Sequence, residues 1–163
     1  MTDQSSEPDG PGISLERAYP APPDRIWQLW TTSDGIEAWW SPDGFSTEVG
    51  QLDLRPGGEL VHTMTARDPQ MVQFMTDNGM PLANTSRKRF TEVDPPRRIG
   101  YDSLVDYVPG VPPYWVTTMV DLVPEDGGTR VIMTAQVMHD EEWTQRLIMG
   151  RQNELENLAK LVS

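Results

Sequence analysis

The sequence predicts an α+β domain. A curved antiparallel sheet of about six to seven strands wraps one long C-terminal helix, and two short helices follow the first strand. Three observations lead there. Residues 139–162 read as one continuous amphipathic helix, with Leu147, Ile148, Arg151, Leu155, Leu158 and Val162 near one face and Trp143 beside it. Most of the remaining chain divides into short alternating segments separated by proline- and glycine-rich turns. The stretch from Ala21 to Gly58 holds four of the six tryptophans, in two short helical patterns that give way to a strand.

Each element follows from local chemistry. Ile13–Tyr19 alternates apolar and polar residues as a strand does, and Pro20, Pro22 and Pro23 stop it. A helix then opens at the prolines or Asp24 and runs to about Thr31, with Pro23 suited to its first turn. Ser33 or Asp34 is expected to cap a second helix that ends at Trp40. Ser41-Pro42-Asp43-Gly44 turns the chain into a strand over 45–54, and Arg55-Pro56-Gly57-Gly58 turns it back into a strand over 59–66. Residues 67–84 break the pattern. They read as an extended connection with one helical turn near Met71–Met75, of a length that suits a lid or functional insertion. Strands resume over 85–93, 98–107, 115–123 and 129–138, the last two joined across Pro124-Glu125-Asp126-Gly127-Gly128. Asp140 is expected to cap the final helix, with Glu141 and Glu142 favourable in its first turn, for a length of roughly 33 Å at ~1.5 Å per residue.

Composition narrows the function. A chain of 163 residues is one domain, expected over residues 13–163 after a polar, acidic and disordered arm at 1–12. The absence of cysteine removes disulfides and thiolate metal sites and fits a cytoplasmic location. No apolar run is long enough to span a bilayer. A formal charge of −12 repels phosphate backbones and anionic lipid, so neither nucleic acid nor membrane insertion is expected. Arg87, Lys88 and Arg89 form the only basic cluster in mid-chain and read as the solvated face of a strand.

The order of elements is that of a helix-grip architecture, and the residues carry a family likeness. Ala21-Pro22, Ile26-Trp27, Leu29-Trp30-Thr31, Trp39-Trp40-Ser41-Pro42, Gly44-Phe45 and Asp53-Leu54-Arg55-Pro56-Gly57-Gly58 follow one another at a distinctive spacing. Gly128-Thr129-Arg130-Val131, Met149-Gly150, Leu155 and Leu158 continue the pattern. Over residues 13–162 the chain resembles the AHSA1-like branch (activator of Hsp90 ATPase homologue 1-like) of the START/Bet v 1 (SRPBCC) superfamily. The resemblance implies that a small hydrophobic or amphipathic molecule binds between sheet and helix. It also admits an enzyme of polyketide cyclase or aromatase type using the same cavity, or a chaperone-interaction module. Two departures fall where a cavity would be shaped: the long 67–84 segment, and Arg151, where relatives often carry tryptophan after the helix glycine.

A sheet bent around one helix leaves concave apolar space. Expected lining residues are Trp30, Trp40, His62, Met64, Phe74, Tyr101, Trp115, Met119, Met133, Trp143, Leu147 and Arg151, with His62, Tyr101 and Arg151 orienting the ligand. Trp39 and Trp40 are consecutive and cannot point the same way, so one is expected in the core and the other at a pocket mouth or against the long helix. His62 shares a strand face with Leu60 and Met64 and reads either as a satisfied core histidine or as a hydrogen-bond donor or general base. No catalytic residue is assigned, and neither a metal nor another cofactor is expected, since two histidines 77 positions apart make a weak metal case. The expected assembly is a monomer or homodimer.

Overall fold

The computed structural model describes residues 12–41 and 43–162. Apart from Gly12, which lies in a strand, the expected N-terminal arm falls outside the described residues. Seven strands form one antiparallel sheet: β1 (Gly12–Tyr19), β2 (Phe45–Leu52), β3 (Glu59–Ala66), β4 (Ala83–Asp94), β5 (Arg98–Val105), β6 (Tyr114–Glu125) and β7 (Gly128–Gln136). Their spatial order is β1-β7-β6-β5-β4-β3-β2. Strands β2 to β7 are a simple meander, and β1 returns to pair along β7 from Gly12↔Gln136 to Tyr19↔Thr129. The chain crosses from one sheet edge to the other through α1 (Pro23–Thr31) and α2 (Ser33–Trp39), and α4 (Glu141–Val162) closes the fold.

Local chemistry explains the short helices. Pro23 occupies the first turn of α1, where its missing N–H costs nothing. Thr32, rather than Ser33 or Asp34, caps α2: its hydroxyl donates to Gln28 O at 2.8 Å and accepts from Gly35 N at 3.0 Å. One side chain thus ends α1 and begins α2. A Cβ on Gly35 would lie 2.7 Å from Gln28 O and Leu29 Cα, so glycine lets the two helices meet.

The core sits under these helices. Trp30, Trp39 and Trp40 are each no more than 4% exposed. Ring centroids are 4.8 Å apart for Trp30–Trp39 and 4.9 Å for Trp39–Trp40. Both consecutive tryptophans are therefore interior, and Trp39 also borders a pocket beside Asn157, Lys160 and Leu161 of α4, so one of the two lies against the long helix as expected while neither is at an open mouth. The helix ends at Trp39, and Trp40, as its C-terminal cap residue, turns inward as well. Trp39 Nε1 donates to Leu29 O at 2.8 Å. Leu155, Leu158 and Val162 of α4 join the same core, and the Tyr19 hydroxyl donates to Leu155 O at 2.7 Å, tying β1 to α4.

Residues 67–84 are not an extended connection. They contain α3 (Pro69–Asp77), with Asp68 accepting from Gln70 N and Met71 N at 3.1 Å and Pro69 in the first turn. An Asp-Pro pair is a helix-start signal, and it was legible. Met75 is buried, while Phe74 is 58% exposed and points to solvent.

Two glycines should respond oppositely to alanine. At Gly128 a Cβ would fall 1.9 Å from Tyr19 O, a backbone atom in the β1–β7 ladder. Gly128→Ala should cost about 1–3 kcal/mol. At Gly150, inside α4, a Cβ meets nothing within 4 Å. Gly150→Ala should stabilise by about 0.5–1 kcal/mol. Urea midpoints measure both, and equal signs would contradict this packing.

Candidate functional site

Strand register brings one set of side chains to the inner face of the sheet. Leu60 pairs with Lys88 and His62 with Ser86. Lys88 pairs with Ser103 and Phe90 with Tyr101, and Tyr101 pairs with Thr118. Partners directly opposite share a face. Lys88 therefore points inward and is only 7% exposed. This corrects the expectation of a solvated basic face. Alternation sends Arg87 to a surface ion pair with Glu59 and stacks Arg89 on Trp115 at 4.2 Å, while the lysine between them enters the interior.

Around Lys88 a buried polar cluster forms. Its Nζ lies 3.4 Å from His62 Nε2, 5.2 Å from the Trp40 ring centroid and 5.7 Å from that of Tyr101. Arg151 reaches down from α4. Its Nη2 donates to Thr118 Oγ1 at 3.1 Å, and its Nη1 pairs with Glu154 Oε2 at 3.2 Å. Both side chains of that pair are about nine-tenths buried, at 10% and 12% exposure. Several polar atoms of the cluster are buried without a hydrogen-bond partner: His62 Nδ1, Ser103 Oγ, Arg151 Nε and Glu154 Oε1.

Burial sets the protonation states. It pushes the His62 imidazole down to about 3, aided by the Lys88 charge. The histidine is neutral near pH 7 and accepts from the lysine, which places its own proton on Nδ1. The geometry places His62 Nε2 toward the Lys88 amine, as a hydrogen-bond acceptor for it. Burial, with the Arg151 charge, brings Lys88 down to about 8, and Glu154 partly opposes that shift. Burial raises the Tyr101 hydroxyl above the ordinary phenol range. Burial disfavours the Arg151 charge too, but Glu154 and the nearby tyrosines outweigh it.

Beside this cluster a cavity of about 120 Å³ opens between α4 and strands β4–β6. Lys88, Arg151, Ser86 and Ser103 line it, and Val105, Val116, Met138, Leu147 and Tyr107 supply apolar and aromatic wall. Tyr107 continues into an aromatic group outside it, with ring centroids 5.7 Å from Trp143, whose other neighbours are His139 and Arg146.

The expected lining residues divide. Leu147 and Arg151 border the cavity. Trp30, Trp40, His62, Tyr101 and Met133 are buried on the inner side, Met64 packs against that core, and Trp143 belongs to the outer aromatic group. Trp115 and Met119 are on the opposite face. Val116, Thr118, Val120 and Leu122 occupy the inward positions of β6, so the intervening residues face out. Phe74 is exposed on α3. Lys88, Ser103, Thr118 and Glu154 are the residues the sequence reading missed. The alternation Lys88/Phe90, and Glu154 three residues beyond Arg151, were the available signals. Among the described residues no group of three metal-binding side chains is assembled, and no helix is long and apolar enough to cross a membrane.

The profile of the family described as activator of Hsp90 ATPase homolog 1-like protein matches residues 20–163. The chain belongs to this AHSA1 family, within the SRPBCC superfamily. No curated protein matches the sequence. Among solved structures, the AHSA1-family chain is similar to a Chromobacterium violaceum protein at 26% identity and TM-score 0.74, covering 93% of this chain and 96% of that one. It is similar to a Nitrosomonas europaea protein at 27% identity and TM-score 0.68, covering 92% of each chain. An AHSA1-like protein from Aeromonas hydrophila, at 23% identity and TM-score 0.71, covers 92% of this chain and 90% of that one and shares the fold.

Proposed function

We propose that this AHSA1-family protein binds a small amphipathic molecule in the groove between α4 and β4–β6. The molecule's acidic oxygens lie against Lys88 and Arg151, and its apolar part leaves past Leu147 and Tyr107. The observation that carries this reading is the charge balance. Two buried cations, Lys88 and Arg151, face one buried carboxylate, Glu154. Buried charge is costly unless paired, and an anionic head would complete the balance. Unpartnered donors at Ser103 and Arg151 Nε, both residues of the cavity wall, supply orientation. The superfamily fold commonly serves hydrophobic ligands, and the aromatic and aliphatic mouth suits an apolar tail.

Large tryptophans fill much of the interior that the sequence reading expected to be hollow. The cavity beside Lys88 and Arg151, at about 120 Å³, is somewhat below the ~150 Å³ that holds benzene. It accepts the head of a ligand, while the tail leaves through the mouth.

Thermal denaturation with hexanoate and with hexanamide tests the reading. Hexanoate in large excess should raise the melting temperature by several degrees, as about 2.7 kcal/mol follows at a hundred times Kd. Hexanamide should do much less. Equal shifts, or none with either, would refute an anion-selective groove.

A further inference from the structure

The full sequence contains two lysines, Lys88 and Lys160. Lys160 reaches Asp43 at the surface, 3.4 Å away. Lys88 instead lines the cavity, and among the described residues no carboxylate lies within ion-pair distance of its amine. Its neighbours are aromatic faces and a neutral imidazole acceptor. An acidic protein with so few amines has placed one of them inside, without a counter-ion, beside a second cation. Those are the surroundings that turn a lysine from an ammonium into a nucleophile.

We propose that Lys88 captures a carbonyl compound, forming an iminium with a short-chain oxo acid whose carboxylate lies against Arg151. This rests on the reading of the groove as a small-molecule site and names the class of molecule. The carboxylate answers the excess positive charge. The carbonyl carbon, one bond from it in a 2-oxo acid, is then presented to the amine. Ser103, directly opposite Lys88 in the register, has a buried hydroxyl with no partner and can hold the carbonyl oxygen.

The step balances without any oxidant. The ammonium gives a proton to solvent, and the nitrogen lone pair attacks the carbonyl carbon. A C–N bond forms as the C=O π pair moves to oxygen. That oxygen takes one proton from nitrogen and one back from solvent and leaves as water while the nitrogen lone pair closes C=N. One ammonium and one carbonyl enter; one iminium and one water leave. The positive charge stays at nitrogen. Burial and the Arg151 charge, which bring Lys88 down to about 8, leave about a tenth of the amine neutral at pH 7.

The test uses the full chain, 2-oxopentanoate and cyanoborohydride, followed by peptide mapping. A single reduced adduct should appear on Lys88, at least about tenfold above Lys160. It should vanish in Lys88→Met and fall when 2-hydroxypentanoate, which keeps the carboxylate but lacks the carbonyl, competes. Mapping the unsubstituted protein decides the matter even if the variant folds poorly. If both acids raise the melting temperature but label is absent, or spreads evenly over Lys160 and the amino terminus, carbonyl capture is overturned while the binding reading stands. If neither acid shifts melting and no adduct forms, both fall together.

Discussion

Arg151→Leu should destabilise the fold by about 3–5 kcal/mol, the range for stranding one member of a buried ion pair. Glu154 is nearly as buried as its partner, and one of its oxygens already lacks a hydrogen bond. Removing the guanidinium leaves the carboxylate in the interior without its nearest cation and takes the Nη2 donor from Thr118. Lys88 lies close enough to feel the Glu154 charge, but it makes no ion pair with it. The double variant Arg151→Leu, Glu154→Leu should recover most of the loss, because neither member of the pair is left without the other, and Lys88 loses a repelling cation together with an attracting carboxylate. Urea unfolding measures both, with the interaction read as the coupling in the cycle. A single variant that unfolds at the wild-type midpoint would mean that solvent reaches the pair freely. The same cycle bears on function. Loss of hexanoate binding in the double variant, at recovered stability, separates the role of Arg151 in the groove from its role in the core.

Much of the architecture was legible because backbone rules operate locally. Pro23 and Asp140 mark helix starts whatever surrounds them, and Pro-Glu-Asp-Gly-Gly marks the β6–β7 turn. The faces of strands were harder, because face depends on register and register is tertiary. In β6 both parities are apolar: Trp115 and Met119 on one, Val116, Val120 and Leu122 on the other. Hydrophobicity alone favoured the larger residues for the interior. The fold instead pairs Thr118 with Tyr101 and leaves Trp115 outside under Arg89. Lys88 was hidden for the same reason. Three consecutive basic residues look like a patch when counted and like two faces when alternated. The arginine on α4 was legible because it falls on the apolar face of an amphipathic helix, whereas the inward lysine of β4 and the core threonine of β6 were hidden by register.

Acid should weaken this protein through His62. The imidazole is held at about 3 in the fold by burial and by the Lys88 charge, against an ordinary value of 6.5. Between those two values the unfolded chain binds the proton and the folded chain does not. Stability therefore rises with pH across that window. The penalty is absent above 6.5, grows as pH falls, and is complete near 3, where it amounts to a few kcal/mol at 1.36 kcal/mol per pKa unit. The informative quantity is a difference between two proteins that share every other group. Wild type minus His62→Gln should decline steadily from pH 6.5 to 3, with the glutamine still offering an acceptor to Lys88. Lys88 gives the mirror of this at the alkaline end. Its folded value near 8 lies below the ordinary 10.5, so the folded state sheds its proton first and stability again rises with pH between the two. Wild type minus Lys88→Met should climb across that interval. Lys88, Arg151, Glu154, Tyr101 and Tyr107 are charged or titratable groups that face this interior from β4, α4, β5 and the segment after β5. With Arg151 charged and Tyr101 protonated throughout, neither contributes slope in the acid window. A flat His62 difference curve would mean that water reaches the imidazole, and the acceptor role assigned to it would fail with it.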